Sequence, residues 1–154
     1  MGAALLLLGA YWLLRPAHPV GERTFWYDLS EKKLFVARPD LTPPQDGLGG
    51  EPGDAFPATV IAWEGSSEQS VAFITSFTPE LRDLHQQAQE RKAQGLPPPD
   101  KIGDRLWVTR NTLVRTVDSD QWHPKDSPAG LKIVGVLARR GQNGGFPRIC
   151  SPND

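Results

Sequence analysis

The sequence predicts an α+β domain, with three β-hairpins forming an antiparallel sheet, one or two packed helices, and a preceding apolar helix. Three observations lead there. Aromatic and β-branched runs come in pairs separated by short polar turns. One segment carries a full set of helix start and stop signals. The first 14 residues contain no charged side chain.

That N-terminal segment, Met1 to Leu14 (MGAALLLLGAYWLL), ends at Arg15-Pro16. A helix crosses a bilayer core with about 20 apolar residues and rarely with fewer than about 17. Fourteen is the length of a signal-peptide apolar region, but the usual basic start and a clean cleavage site are missing. Tyr11 and Trp12 beside Arg15 look like an aromatic and basic membrane edge. Residues 1–15 are therefore expected to be a signal anchor or short transmembrane helix, with Leu5, Leu8, Tyr11, Trp12 and Leu14 in the membrane. A start truncated upstream would explain the shortness. The basic residues that follow (Arg15, Arg23, Lys32, Lys33) favour a cytoplasmic domain under the positive-inside rule. A missing upstream flank would hide half of that comparison, and the domain is expected to be extracytoplasmic. Residues 16–23 then read as a linker, 24–140 as the domain and 141–154 as an irregular tail.

Within the domain, Thr24 to Leu29 and Leu34 to Ala37 flank Ser30-Glu31-Lys32-Lys33 as a first hairpin. Residues 38–57 are rich in Pro and Gly and read as a long irregular loop, able to order on docking to a partner. Thr59 to Trp63 and Val71 to Thr75 make a second hairpin of nearly continuous apolar strands. The helix follows: Thr78 caps it, Pro79 fits its first position, Glu80 suits its positive end, and Gly95 stops it before Pro97-Pro98-Pro99. Leu81, Leu84 and Ala88 form its thin apolar stripe. Leu106 to Thr109 and Thr112 to Val117 read as a third hairpin around Arg110-Asn111. Leu131 to Arg140 has strand-like Val and Ile and a weakening Gly135. Ser127-Pro128 and Arg139-Arg140-Gly141 are nevertheless helix boundaries, and helix is the expectation.

Composition excludes several function classes. The 154 residues hold 17 Lys plus Arg and 18 Asp plus Glu, a net charge of -1, so no basic excess is available to bind nucleic acid. A single Cys rules out an internal disulfide framework and a multi-Cys zinc site. Cys150 reads as a tail thiol, free or paired with another chain. Gly47-Leu48-Gly49-Gly50 and Gly141 to Gly145 lack the Lys-Ser/Thr of a P-loop and the spacing of a dinucleotide fingerprint. No Gly-x-Ser-x-Gly elbow exists. No cofactor is expected.

The densest polar cluster is Asp118-Ser119-Asp120-Gln121-Trp122-His123-Pro124-Lys125-Asp126, with three carboxylates and a His. Asp118, Asp120 and His123 are the candidate catalytic residues, since carboxylates and an imidazole on one loop could hold a hard cation or act as an acid/base pair. Trp122 stands where a calcium loop needs a ligand and a Gly, so a solvated turn with Trp122 folded onto the core is the simpler reading. His85 lacks a partner at metal-ligand spacing and reads as a packing residue. Trp26, Trp63 and Trp107 sit in strand-like runs as packing residues, an exposed platform for glycans or peptides being the alternative.

The chain resembles a group of small, uncharacterised membrane-anchored proteins of planctomycete-type bacteria. The shared features are Phe25-Trp26-Tyr27-Asp28-Leu29, Leu34 to Ala37, Pro43-Pro44, Phe77-Thr78-Pro79-Glu80, Leu113-Val114-Arg115 leading to Asp118 and Trp122, Ser127-Pro128, and Pro147 to Cys150. The resemblance implies an anchored domain and transfers no catalytic residue. Members often carry further Cys residues where this chain keeps only Cys150. The expected function is a binding or structural module, with the membrane and another membrane or envelope protein as partners. A hydrolytic or metal-assisted enzyme and an accessory subunit of a membrane complex are the alternatives.

Overall fold

The computed structural model describes residues 22–152. The expected membrane residues Leu5, Leu8, Tyr11, Trp12 and Leu14 lie outside them. The fold is α+β around one antiparallel sheet. Its strands are β1 (Thr24–Asp28), β2 (Lys33–Ala37), β3 (Ala55–Trp63), β4 (Gln69–Phe77), β5 (Thr112–Arg115), β6 (His123–Pro124) and β7 (Pro147–Ile149). The order is β2-β1-β3-β4-β5-β6, with β7 also on β3. The helices are α1 (Pro79–Ala93), α2 (Asp100–Gly103), α3 (Arg105–Asn111) and α4 (Pro128–Val134), which runs into a 3-10 turn (Gly135–Ala138).

β3 organises the sheet because it is long enough to serve two partners on one edge. β1 pairs with its first half (Trp26 opposite Pro57, Asp28 opposite Ala55) and β7 with its second half (Ile61 opposite Ile149, Trp63 opposite Pro147). β4 takes the other edge, with a bulge at Thr59/Val60. Side chains alternate between faces along each strand. Trp26, Asp28, Phe73, Phe77 and Val114 therefore share one face, and Phe25, Phe56, Val60, Ile74 and Arg115 the other. Val60, Ile74 and Val114 are fully buried, and such burial contributes roughly 1.5–3 kcal/mol per side chain.

The first face is covered by α1 and the loop before β3. Thr78 accepts the Leu81 N–H at the start of α1. At its end Gly95 takes φ +72, while Leu96 N–H reaches Arg91 O and Gly95 N–H reaches Lys92 O, which closes a Schellman cap. Leu81 is buried, and His85 stacks on Phe77 with ring centroids 5.3 Å apart. His85 Nδ1 also lies 2.7 Å from the Thr42 hydroxyl, and Gln89 donates to the Asp40 carbonyl. Residues 38–54 are thus tied to the helix, and Ala55-Phe56-Pro57, expected to belong to the loop, already form the start of β3.

Two further expectations are corrected. Residues 106–109 are no strand but part of α3, because Asp104 accepts the Leu106 and Trp107 N–H groups at 3.0 and 3.1 Å. The Thr109 hydroxyl and the Asn111 amide then donate to carbonyls one turn back. β5 consequently pairs with β4 and β6, and the third hairpin does not form. The tail is not wholly irregular either, since β7 adds to β3 and the Cys150 N–H donates to Val60 O at 2.8 Å. Cys150 is buried with Val60 and Ala62. The expected helix after Ser127-Pro128 is present, with the Ser127 hydroxyl accepting the Gly130 N–H at 3.1 Å.

Candidate functional site

The site begins with Asp28, which ends β1 and is fully buried. Its Oδ1 accepts the Glu31 N–H at 2.8 Å and the Ser30 hydroxyl at 2.9 Å. Its Oδ2 accepts the Leu48 and Gly49 N–H groups at 2.5 and 3.3 Å. The Glu31 N–H does most to favour the ionised form, burial opposes it, and Ser30, Gly49 and Leu48 add to it; the carboxyl is pulled down to about 2. Asp54 completes the knot, accepting the Gly47 N–H at 2.9 Å and meeting the Ser30 hydroxyl at 2.5 Å. Gly47 is required here, because a Cβ would stand 2.2 Å from Asp28 Oδ2. The β1–β2 turn and residues 46–54 are thereby held together as one wall.

Facing that wall is the segment after β5. Arg115 is 8% exposed, and its guanidinium lies 5.1 Å over the Trp122 ring. Trp122 in turn packs on Phe56, 5.0 Å between centroids, as the sequence led one to expect. Arg115 Nη1 stands 4.0 Å from Asp120, and its Nε has no hydrogen-bond partner among the described residues. The Ser119 hydroxyl accepts the Gln121 N–H at 3.2 Å, shaping the turn between Asp118 and Asp120.

Between the two walls is an open cleft of about 920 Å³ lined by Tyr27, Ser30, Lys32, Glu51, Asp54, Arg115, Asp118 and Asp120, among others. Four carboxylates against two cations make it acidic. Asp118 and Asp120 thus share a site. His123 does not join them: it pairs with Val114 on β6 and so belongs to the face opposite Arg115. Among the described residues no group of three His, Cys, Asp or Glu side chains is placed to hold a metal. Arg115, Asp54, Glu51 and Ser30 were not singled out from the sequence. For Arg115 the signal was a charge inside the β-branched run Thr112 to Val117; Asp54, Glu51 and Ser30 carry no local cue. The arrangement gives the cleft a net negative lining, and His123 lies outside it.

No family model matches the chain, and no curated protein and no solved structure matches it.

Proposed function

We propose that the chain is a membrane-anchored, extracytoplasmic binding module whose acidic cleft receives a cationic segment of another membrane or envelope protein. The anchor is the uncharged N-terminal segment with its aromatic and basic edge, read as an apolar helix. The observation that carries the binding role is the cleft itself: one wall is fixed by the Asp28 knot, and the lining is net negative. A preformed cleft loses little entropy on binding, and complementary charge steers encounter. The hydrolytic alternative has less support, because His123 is turned away from Asp118 and Asp120. The accessory-subunit alternative drew on a loop that orders on docking, whereas Gly47, Leu48 and Gly49 are already bonded to Asp54 and Asp28.

The test is a titration of the full chain with a fluorescent Lys/Arg-rich peptide at low salt. D118N/D120N changes two exposed side chains and is expected to weaken binding by roughly twofold to thirtyfold, as the loss of two surface ion pairs. Equal affinity of parent and variant would remove the cleft from the proposal.

A further inference from the structure

A second cavity lies at the other end of β3. It measures about 580 Å³ and is lined by Trp63, Glu64, Val136, Arg139, Arg140 and the glycine loop 141–145, among others. The loop folds tightly on the strand end: a Cβ on Gly141 would stand 2.7 Å from the Trp63 ring, and one on Gly145 2.6 Å from the Glu64 side chain. Around the cavity the surface mixes apolar and cationic groups. Leu131 is 56% exposed, Phe146 50% and Ile149 58%. Arg140 lies 4.9 Å over the Phe146 ring, Arg139 donates at 3.1 Å to the carbonyl of Lys132, the residue after Leu131, and Ile149 pairs with Ile61, two residues before Trp63.

Charge and chain direction say what this end meets. Residues 127–152 carry four Lys or Arg and no carboxylate, whereas residues 1–126 carry 13 and 17. Glu64 lines the cavity, and Glu68 stands in the same β3–β4 turn. β1 runs antiparallel to β3 with Trp26 opposite Pro57 and Asp28 opposite Ala55. Thr24 is therefore displaced towards the Trp63 end, so β1 begins on that side of the sheet. The Asp28, Ser30 and Asp54 wall of the acidic cleft sits at the Ala55 end of β3, roughly 25 Å from Trp63 at the rise of a β-strand.

We propose that the Trp63 end of the domain is a docking face for an anionic lipid bilayer. Leu131, Phe146 and Ile149 enter the interface, Arg139 and Arg140 engage lipid phosphates, and the acidic cleft is directed away from the membrane towards its partner. This rests on the membrane-anchored reading for the side on which β1 begins; the charge pattern is independent of it.

The test places an environment-sensitive fluorophore on L131C of the full chain, where buried Cys150 stays unlabelled, with L48C as the control at the cleft end. Vesicles are phosphatidylcholine with or without phosphatidylglycerol. The L131C probe is expected to brighten on the anionic vesicles at low salt and to lose the signal at high salt, while L48C stays unchanged. R139Q/R140Q is expected to weaken the response about 30-fold. An equal response on neutral vesicles, no response, or indifference to R139Q/R140Q overturns the proposal, as does brightening with protein concentration alone, which would make a second copy the occupant. Sedimentation with neutral vesicles at high salt reads the anchor separately. Pelleting without an L131C response refutes the face and leaves the anchor. An L131C response without pelleting does the reverse.

Discussion

Two glycines five residues apart in the α4 segment should respond to alanine with opposite signs. Gly130 is buried in the first turn of α4 against the backbone of β6. A Cβ there would stand 2.1 Å from the Pro124 carbonyl oxygen and 3.0 Å from two Lys125 backbone atoms. Ordinary carbon–oxygen contact begins near 3.3 Å, so helix and strand must separate by roughly 1 Å. Backbone cannot move aside as a flexible side chain can. The same carbonyl accepts the Ser127 N–H and hydroxyl, and Lys125 N–H bonds to Thr112 O, so the separation disturbs the cap and the β5–β6 pairing together. Overpacking of this kind costs about 1–3 kcal/mol and a damaged cap about 1 more, offset by about 1 for the helix preference of Ala. G130A should thus lose about 1–3 kcal/mol. Gly135 has helical φ/ψ and open space around its Cβ position, so G135A should gain about 0.5–1 kcal/mol. Urea unfolding followed by tryptophan fluorescence measures both. With a slope of about 1.5 kcal/mol/M, the G130A midpoint falls by roughly 1–2 M. A G130A midpoint equal to the parent's, or movement of both variants in the same direction, would refute the packing of α4 on β6.

Three further outcomes follow from the buried polar groups. The Asp28 carboxyl is held at about 2, against an ordinary value near 3.9, so the stability it contributes is complete above about pH 4 and is lost as the pH falls towards 2; in D28N that part of the acid dependence should disappear, and an unchanged acid profile would contradict the knot. Burial lowers the His85 pKa, with Asp40 opposing, so the unfolded chain takes up a proton first and stability should decline as pH drops below about 6.5; H85Q should flatten the decline, and a parent profile that is flat from pH 7 to 5 would speak against the half-buried ring. Cys150 is packed on Val60 and Ala62, so a thiol reagent should label the native chain orders of magnitude more slowly than the urea-unfolded chain; equal rates would place the tail outside the core.

The elements that were legible in the sequence are those whose side chains and local signals agree. β1–β2 and the centre of β3–β4 follow from aromatic and β-branched runs, and α1 follows from Thr78, Pro79 and Gly95. The extension of β3 back to Ala55 was hidden by Pro57, which reads as loop although it pairs with Trp26. α3 was hidden because the β-branched Val108 and Thr109 read as strand, whereas in the structure Asp104 caps a helix there. β7 was hidden because three residues carry no periodicity. Half of the cleft was visible, since Asp118 and Asp120 are close in sequence. The other half could not be seen, because Ser30, Glu51 and Asp54 reach it only through the Asp28 knot, and strand pairing alone sends His123 to the other face.

Both functional readings depend on the chain working at a membrane. The direct measurement is carbonate extraction of membranes from cells expressing the full-length chain. The anchored reading expects the protein to stay in the pellet at high pH, where peripheral proteins held by charge alone are stripped. Release into the soluble fraction would contradict it.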